Sequence, residues 1–314
     1  MKLQPGFSPR FLTLSSFAFK LVAVNVLCCA ALANAQSSKT SIEVSAGLEQ
    51  DSNLNIVELD QNSHQSDLAV LLGAKADGKW QANEKLTLSG GYSFTAKTYQ
   101  KQSAYDLALH QFSGDASYAL EFLTLGASYH YADANLDKKD FLTLQQSSFY
   151  AAKLIHDKVY LRAAINIQDK QFAGRRERNA KNTGFAGDAF IFFNEGKTFL
   201  TIGISNEDEN AKLHELDYSA NTLKAKVSHQ YLLWEKQQKL QAGWRYMVHD
   251  YTGVNPDLKL ERYDSAHVTE LEWEVNFTPS IAAVTKVEYS QYNSNLSSAN
   301  YSDTQTSVTL KARF

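Results

Sequence analysis

The sequence predicts an all-β chain, a closed antiparallel transmembrane β-barrel of about 14 strands. Three observations carry this. From about residue 41 to the end the apolar pattern has period two, not 3.6. The connections alternate short and long. The last segment alternates and finishes on an aromatic residue.

The N-terminus stands apart. Residues 1–35 carry Lys2, Arg10 and Lys20 and no acid, then the apolar stretch Leu21 to Leu32, then Ala33-Asn34-Ala35. This is the layout of a secretory signal peptide cleaved before Gln36, which leaves 36–314 as the barrel domain. The apolar core has only about a dozen residues, too few to span about 30 Å as a helix. Both cysteines, Cys28 and Cys29, lie in the leader, so the mature chain would hold neither disulfides nor thiolate–metal sites. The whole chain has net charge −3 and its mature part is more acidic still, which argues against nucleic acid as a partner.

Strand side chains point alternately to opposite faces. Leu86, Leu88, Gly90, Tyr92 and Phe94 oppose Thr87, Ser89, Gly91, Ser93 and Thr95. Leu123, Leu125, Ala127, Tyr129 and Tyr131 oppose Thr124, Gly126, Ser128 and His130. Val159, Leu161, Ala163, Ile165 and Ile167 oppose Tyr160, Arg162, Ala164 and Asn166. Leu240, Ala242, Trp244, Tyr246 and Val248 oppose Gln241, Gly243, Arg245, Met247 and His249. Leu271, Trp273, Val275 and Phe277 oppose Glu270, Glu272, Glu274 and Asn276. The eighth strand has aromatics on both faces (Phe185 to Phe193). The tenth fits only if Lys224 and Lys226 point inward, and a count of twelve or sixteen stays open.

Short connections fall near 81–85, 119–122, 156–158, 194–197, 235–238 and 278–280. Longer polar ones fall near 51–66, 100–106, 132–142, 169–182, 206–216, 249–262 and 292–303. Six short turns and seven long loops join fourteen strands of about 9–13 residues, the length that crosses a bilayer at a tilt. A soluble sandwich would hide its apolar face and needs no strands of that length. Lipid satisfies no open sheet edge, so the sheet must close. The Tyr and Phe load fits aromatic belts at two water–lipid boundaries. An even count with short turns on one side and long loops on the other is the layout of a Gram-negative outer-membrane barrel with both termini in the periplasm.

At the C-terminus, Thr306, Val308, Leu310, Ala312 and Phe314 share one face. Val308, Leu310, Ala312 and Phe314 resemble the terminal signal read by the barrel-assembly machinery, an expected partner during biogenesis.

Fourteen strands about 4.8 Å apart at a tilt of about 40° enclose a cylinder roughly 28 Å across. The residues expected to line its lumen include Lys97, Asp115, Arg162, Arg245, Glu270, Glu272, Glu274, Lys286, Lys311 and Arg313. Glu270, Glu272 and Glu274 form an acid ladder on the twelfth strand, and Arg245 and Lys286 on its neighbours are placed to face it. Two readings stand open: a charged constriction that selects solutes by sign, and a paired lattice that stiffens a water-filled wall. The run Arg175-Arg176-Glu177-Arg178 is either a solvated loop or a contact for lipopolysaccharide phosphates.

Catalytic signals are weak. None of the eight histidines has ligand spacing, so no metal and no cofactor is expected. No GxSxG and no phosphate-cradling glycine loop is present. Ser128 and His130 lack a convincing third member. The expectation is a non-enzymatic protein.

Several segments carry a resemblance. Ser45 to Asn55 reads SAGLEQDSNLN, an opening strand and an Asp-Ser-Asn turn. Tyr105-Asp106, Arg178-Asn179-Ala180 and Arg262-Tyr263-Asp264-Ser265 each start a returning strand, and Tyr289 to Tyr301 (YSQYNSNLSSANY) leads into the last one. These resemble the C-terminal barrel of the surface lipoprotein assembly modifiers and related barrels fused to tetratricopeptide repeats, over about residues 41–314. The resemblance implies fourteen strands and, for some members, help in bringing lipoproteins to the cell surface. Those proteins usually carry a helical repeat domain before the barrel, whereas here the strand pattern starts about five residues after the expected cleavage site. Cargo capture would then need a separate periplasmic partner. Three functions follow as expectations: a channel for small solutes or exported cargo in contact with outer-membrane lipid and lipopolysaccharide; an accessory barrel for surface protein export; and a structural or adhesive barrel whose loops bind partners.

Overall fold

The computed structural model describes residues 37–314. The leader, with its cleavage site, lies outside the described residues. Fourteen strands form the wall: β1 (Ser37–Asp51), β2 (Asp67–Gln81), β3 (Leu86–Tyr99), β4 (Leu107–Ala119), β5 (Thr124–Leu136), β6 (Lys139–Ile155), β7 (Val159–Phe172), β8 (Ala180–Phe193), β9 (Thr198–Ala211), β10 (Tyr218–Leu233), β11 (Lys236–Asn255), β12 (Leu260–Asn276), β13 (Ile281–Ser294) and β14 (Tyr301–Arg313). Each pairs antiparallel with the next, and β1 pairs with β14 from Glu43↔Arg313 to Asp51↔Gln305, so the sheet closes. The seam runs to the chain end, where Phe314 donates its N–H to the Ile42 carbonyl at 2.9 Å and accepts from Ile42 N at 3.1 Å.

Period-two alternation gives the wall two chemistries. The outer face carries exposed apolar side chains, among them Val44, Leu72, Phe112, Ile165, Ile204 and Leu271, with Phe185 65% exposed. Val308, Leu310 and Phe314 stand on it too, all more than half exposed. A soluble protein rarely presents so continuous an apolar surface, whereas a bilayer covers one. The conventional apolar core is correspondingly small: Leu54, Ala69 and Tyr99, with Tyr105 packed against them.

The strands run further than the sequence indicates. They have 13 to 20 residues, and β11 is the longest. The segment 132–142, read as a loop, is a continuous hairpin of β5 and β6. It turns at Asp137 and Lys138, both at positive φ (50° and 62°), as a type I′ turn requires. Beyond the lipid boundary, polar residues still exchange backbone hydrogen bonds, so the ladder continues after the apolar alternation fades. Only 52–66 remains long among the connections at the end opposite the termini.

Three loops at that end share one device. A single 3₁₀ turn is followed by Asp or Asn, whose side-chain oxygen accepts the backbone N–H that ends the preceding strand. Asp106 accepts from Tyr99 N (2.8 Å), Asn179 from Phe172 N (2.8 Å) and Asp217 from Ala211 N (2.6 Å). The side chain satisfies a donor that the sheet leaves free at its edge.

Candidate functional site

The inner face is built from the other half of the alternation. On the concave side of a closed wall side chains converge, so residues two strands apart come within reach. Asp188 on β8 meets Lys224 on β10 at 2.9 Å, and Lys226 on β10 meets Glu270 on β12 at 2.8 Å. Each pair passes over a glycine of the strand between. A Cβ on Gly203 of β9 would overlap Lys224 Cε and stand 2.6 Å from Asp188 Oδ1; one on Gly243 of β11 would stand 2.7 Å from Glu270 Oε1. The Tyr150 hydroxyl on β6 likewise donates across β5 to Asp115 on β4 at 2.9 Å, over Gly126.

The ten charged residues expected in the lumen fall into groups. Lys97 pairs with Glu49 and lies 4.0 Å from Asp51. Asp115 takes the Tyr150 hydroxyl, and the Arg162 guanidinium stacks on that ring at 4.5 Å and lies 3.7 Å from Asp188. The acid ladder of β12 is matched rung by rung: Glu270 by Lys226 and by Lys286 (3.4 Å), Glu272 by Lys239 (3.9 Å), Glu274 by Lys239 (3.6 Å) and Arg313. Arg313 grips Glu274 with two parallel hydrogen bonds of 3.0 and 3.1 Å, and its Nε donates to Glu43 at 2.9 Å. Lys311 also reaches Glu43, at 3.7 Å. Arg245 is different: among the described residues it makes no ion pair, and Lys239 is the β11 residue that meets the ladder. Paired charge therefore dominates β9–β14 and β1.

Across the lumen, β5 and β6 carry mainly neutral polar groups, and β7 and β8 add the Arg162–Asp188 pair. Gln146 Nε2 donates to Ser148 Oγ at 3.2 Å, and Ser148 Oγ donates to Asn166 Oδ1 at 2.7 Å. Cavities of about 670 and 300 Å³ lie along the inner face here; Ser128, His130 and Arg162 line both, with Lys39, Asp77, Lys79 and Asp115 in the first and Asp188, Glu207 and Lys224 in the second.

The first loop bridges one mouth. Its root is pinned at β14 and β3. Asn53 N donates to Asp51 and Asp303, Ser52 Oγ donates to Asp303 at 2.9 Å, and the Tyr99 hydroxyl donates to Asp51 at 2.8 Å. Its tip is a two-residue ribbon, Asn55–Ile56 against Gln61–Asn62, closed by the 3₁₀ turn Val57–Leu59. At that tip Asp60 meets two arginines. Arg178, between β7 and β8, donates to its Oδ2 at 2.9 Å; Arg262 on β12 donates to its Oδ1 at 2.7 Å. The β7–β8 loop lies half a turn around the wall from β1 and β2, so the loop spans the opening. Burial alone would raise the Asp60 carboxyl. The two guanidiniums, Arg262 foremost, outweigh it and hold the group below the usual carboxylate range. Beneath lies a pocket of about 270 Å³ walled by Lys170, Glu209, Tyr218, His249, Tyr251 and Tyr301.

The sequence reading missed this clasp. Arg178 and Arg262 stood in it only as parts of a basic run and a strand-start motif. Asp60 was one acid in a polar loop, 118 and 202 residues away from its partners. Glu43, Glu49 and Asp51 had a signal, since they share parity with Ser45 and Gly47 on the polar face of β1.

No protein-family model matches this chain, and no curated protein does. Solved structures do. In-vitro folded OmpT, an outer membrane protein of Vibrio cholerae, superposes with a TM-score of 0.51 over 88% of this chain and 98% of that one, at 9% identity. Outer-membrane expressed OmpT of Vibrio cholerae gives 0.50 over 89% and 98%, at 10% identity. The chain has the fold of an outer-membrane β-barrel. An anion-selective porin from Comamonas acidovorans is also similar, with a TM-score of 0.48 over 88% of this chain and 99% of that one, at 11% identity.

Proposed function

We propose that this outer-membrane barrel is a non-catalytic channel for small polar solutes, narrowed at its extracellular mouth by the first loop. The observation that carries the reading is the two-signed, polar inner face behind an apolar exterior, with open cavities along it. Both termini stand in the periplasm of a Gram-negative cell. Val308, Leu310, Ala312 and Phe314 are offered to the barrel-assembly machinery, and Arg175 and Arg176 reach lipopolysaccharide phosphates. The matched rungs of Glu270, Glu272 and Glu274 favour a wall that stiffens the lumen over one that strongly sorts ions by sign.

Protein refolded into planar bilayers tests this. A stable, narrow, weakly ion-selective current is expected. A folded, heat-modifiable barrel that passes no current overturns it. The resemblance to surface lipoprotein assembly modifiers, carried by the turns at Tyr105-Asp106 and Arg178-Asn179, supports a second reading as an accessory export barrel with a periplasmic partner. Loss of a surface protein on deletion is its expected sign, and an unchanged surface proteome counts against it.

A further inference from the structure

Asp60 is held as a bound carboxylate is held. One guanidinium addresses each oxygen, Arg178 on Oδ2 and Arg262 on Oδ1, and charge-assisted bonds of this kind are strong and geometrically selective. Asp60 sits at φ 56°, a left-handed conformation that Asp tolerates, and this projects its carboxylate from the tip of the turn.

On the receiving side Arg262 does not depend on it, whereas the Arg178 guanidinium makes its hydrogen bonds to the tip itself, to Asp60 and to the Glu58 carbonyl (2.9 Å). Arg262 is 5% exposed, is fixed by Asp264 through Nε (2.9 Å) and Nη2 (2.5 Å), and stacks on Tyr251 at 4.6 Å. Asp264 is itself held by the Ser294 hydroxyl at 2.6 Å. With the tip withdrawn, Glu58 and Asp60 leave together. Lys170, Arg178 and Arg262 then face only Glu209 and Asp264 around the pocket. The vacated place is cationic, with Arg262 preorganised by Asp264 and Tyr251 and Arg178 freed to meet a new anion.

We infer that Arg178 and Arg262 form an anion subsite whose tethered occupant is the Asp60 carboxylate, and that a small carboxylate-bearing solute takes its place. The role of that solute as cargo rests on the channel reading; the subsite itself does not. The tether supplies its carboxylate at an effective concentration of about millimolar or above, so a free ligand must compete with it, and loop opening and ligand binding are one exchange.

The test is calorimetric titration of the full-length refolded protein with succinate, beside bilayer currents on the same samples. Asp60→Asn is expected to bind succinate at least tenfold more tightly than wild type, and adding Arg178→Gln is expected to reverse that gain. Glucose should give no heat with any of them. Equal succinate binding by wild type and D60N overturns the inference, and so does a double variant that keeps the gain. An equal gain with inorganic phosphate overturns the carboxylate assignment. Heat-modifiable mobility checks the fold, and Asp60→Ser replaces D60N if the latter does not refold. A D60N gain without current in any sample leaves the subsite standing and removes the channel reading. Current without a gain does the reverse.

Discussion

The wall lattice and the mouth clasp use the same residue types for different work. On the wall, Lys226–Glu270, Lys239–Glu272 and Lys311–Glu43 join strands already tied by a continuous backbone ladder, and their heads stay partly open to the lumen. Partly exposed pairs of that kind contribute about 0–1 kcal/mol each. The clasp joins segments that no ladder connects, through a buried arginine. Removing a wall pair therefore changes the field in the lumen; removing the clasp changes where a loop stands.

Arg262→Gln should show the largest effect. It strands Asp60 and Asp264 without their buried cation and should cost about 3–5 kcal/mol, read by urea unfolding in vesicles. A loss below about 1 kcal/mol would place Arg262 with the wall pairs. Next comes the triple variant Glu270→Gln, Glu272→Gln and Glu274→Gln. It removes three charges from a balanced wall and should move the reversal potential toward anion preference, at a stability cost that comes mainly from Glu274, which is buried against Arg313. An unmoved potential would mean that the ladder does not border the conducting path.

Gly243→Ala should act more gently. Its Cβ pushes the Glu270 side chain aside and breaks the bridge to Lys226, at roughly 1 kcal/mol or less, seen as a small drop in the heat-modification temperature. No drop at all would mean that Glu270 finds another partner over β11. Acid should give the smallest effect. The Asp60 carboxyl lies below its ordinary value, with Arg178, Arg262, Asp264, Tyr251, Tyr301 and Glu58 around it. Its contribution is complete above the unfolded value near about 4 and is lost as pH falls through the depressed one. Current should stay level from neutral pH to about 5 and rise only below about 4, a step that Asp60→Asn should lack. A step near pH 6 would point to a different group.

How far the sequence can be read follows from these differences. Alternation is local, so the strand containing Val159 to Ile167 and the final strand with Phe314 are visible in a window of nine residues. The even count follows from the connections. Strand ends are not visible, because backbone pairing needs no apolar partner. The hairpin through Asp137 and Lys138 has the composition of a loop and the hydrogen bonds of a sheet. Pairings depend on register, which no single strand encodes. Thus Arg245 and Lys239 stand on the same face of β11, and only their alignment against β12 decides that Lys239 meets the glutamates. The clasp is harder still, since it depends on where the first loop travels once the wall has closed.

The glycines beneath the bridges bear on how such a wall is put together. A contact from β8 to β10 over Gly203, or from β10 to β12 over Gly243, exists only when three strands stand in correct alignment at once. Slipping the middle strand by two residues, which preserves its inside–outside pattern, brings a residue with a Cβ under the bridge and forces it open. Each saddle thus acts as a proofreading mark, distinguishing the right alignment from the nearest wrong one that alternation alone would accept.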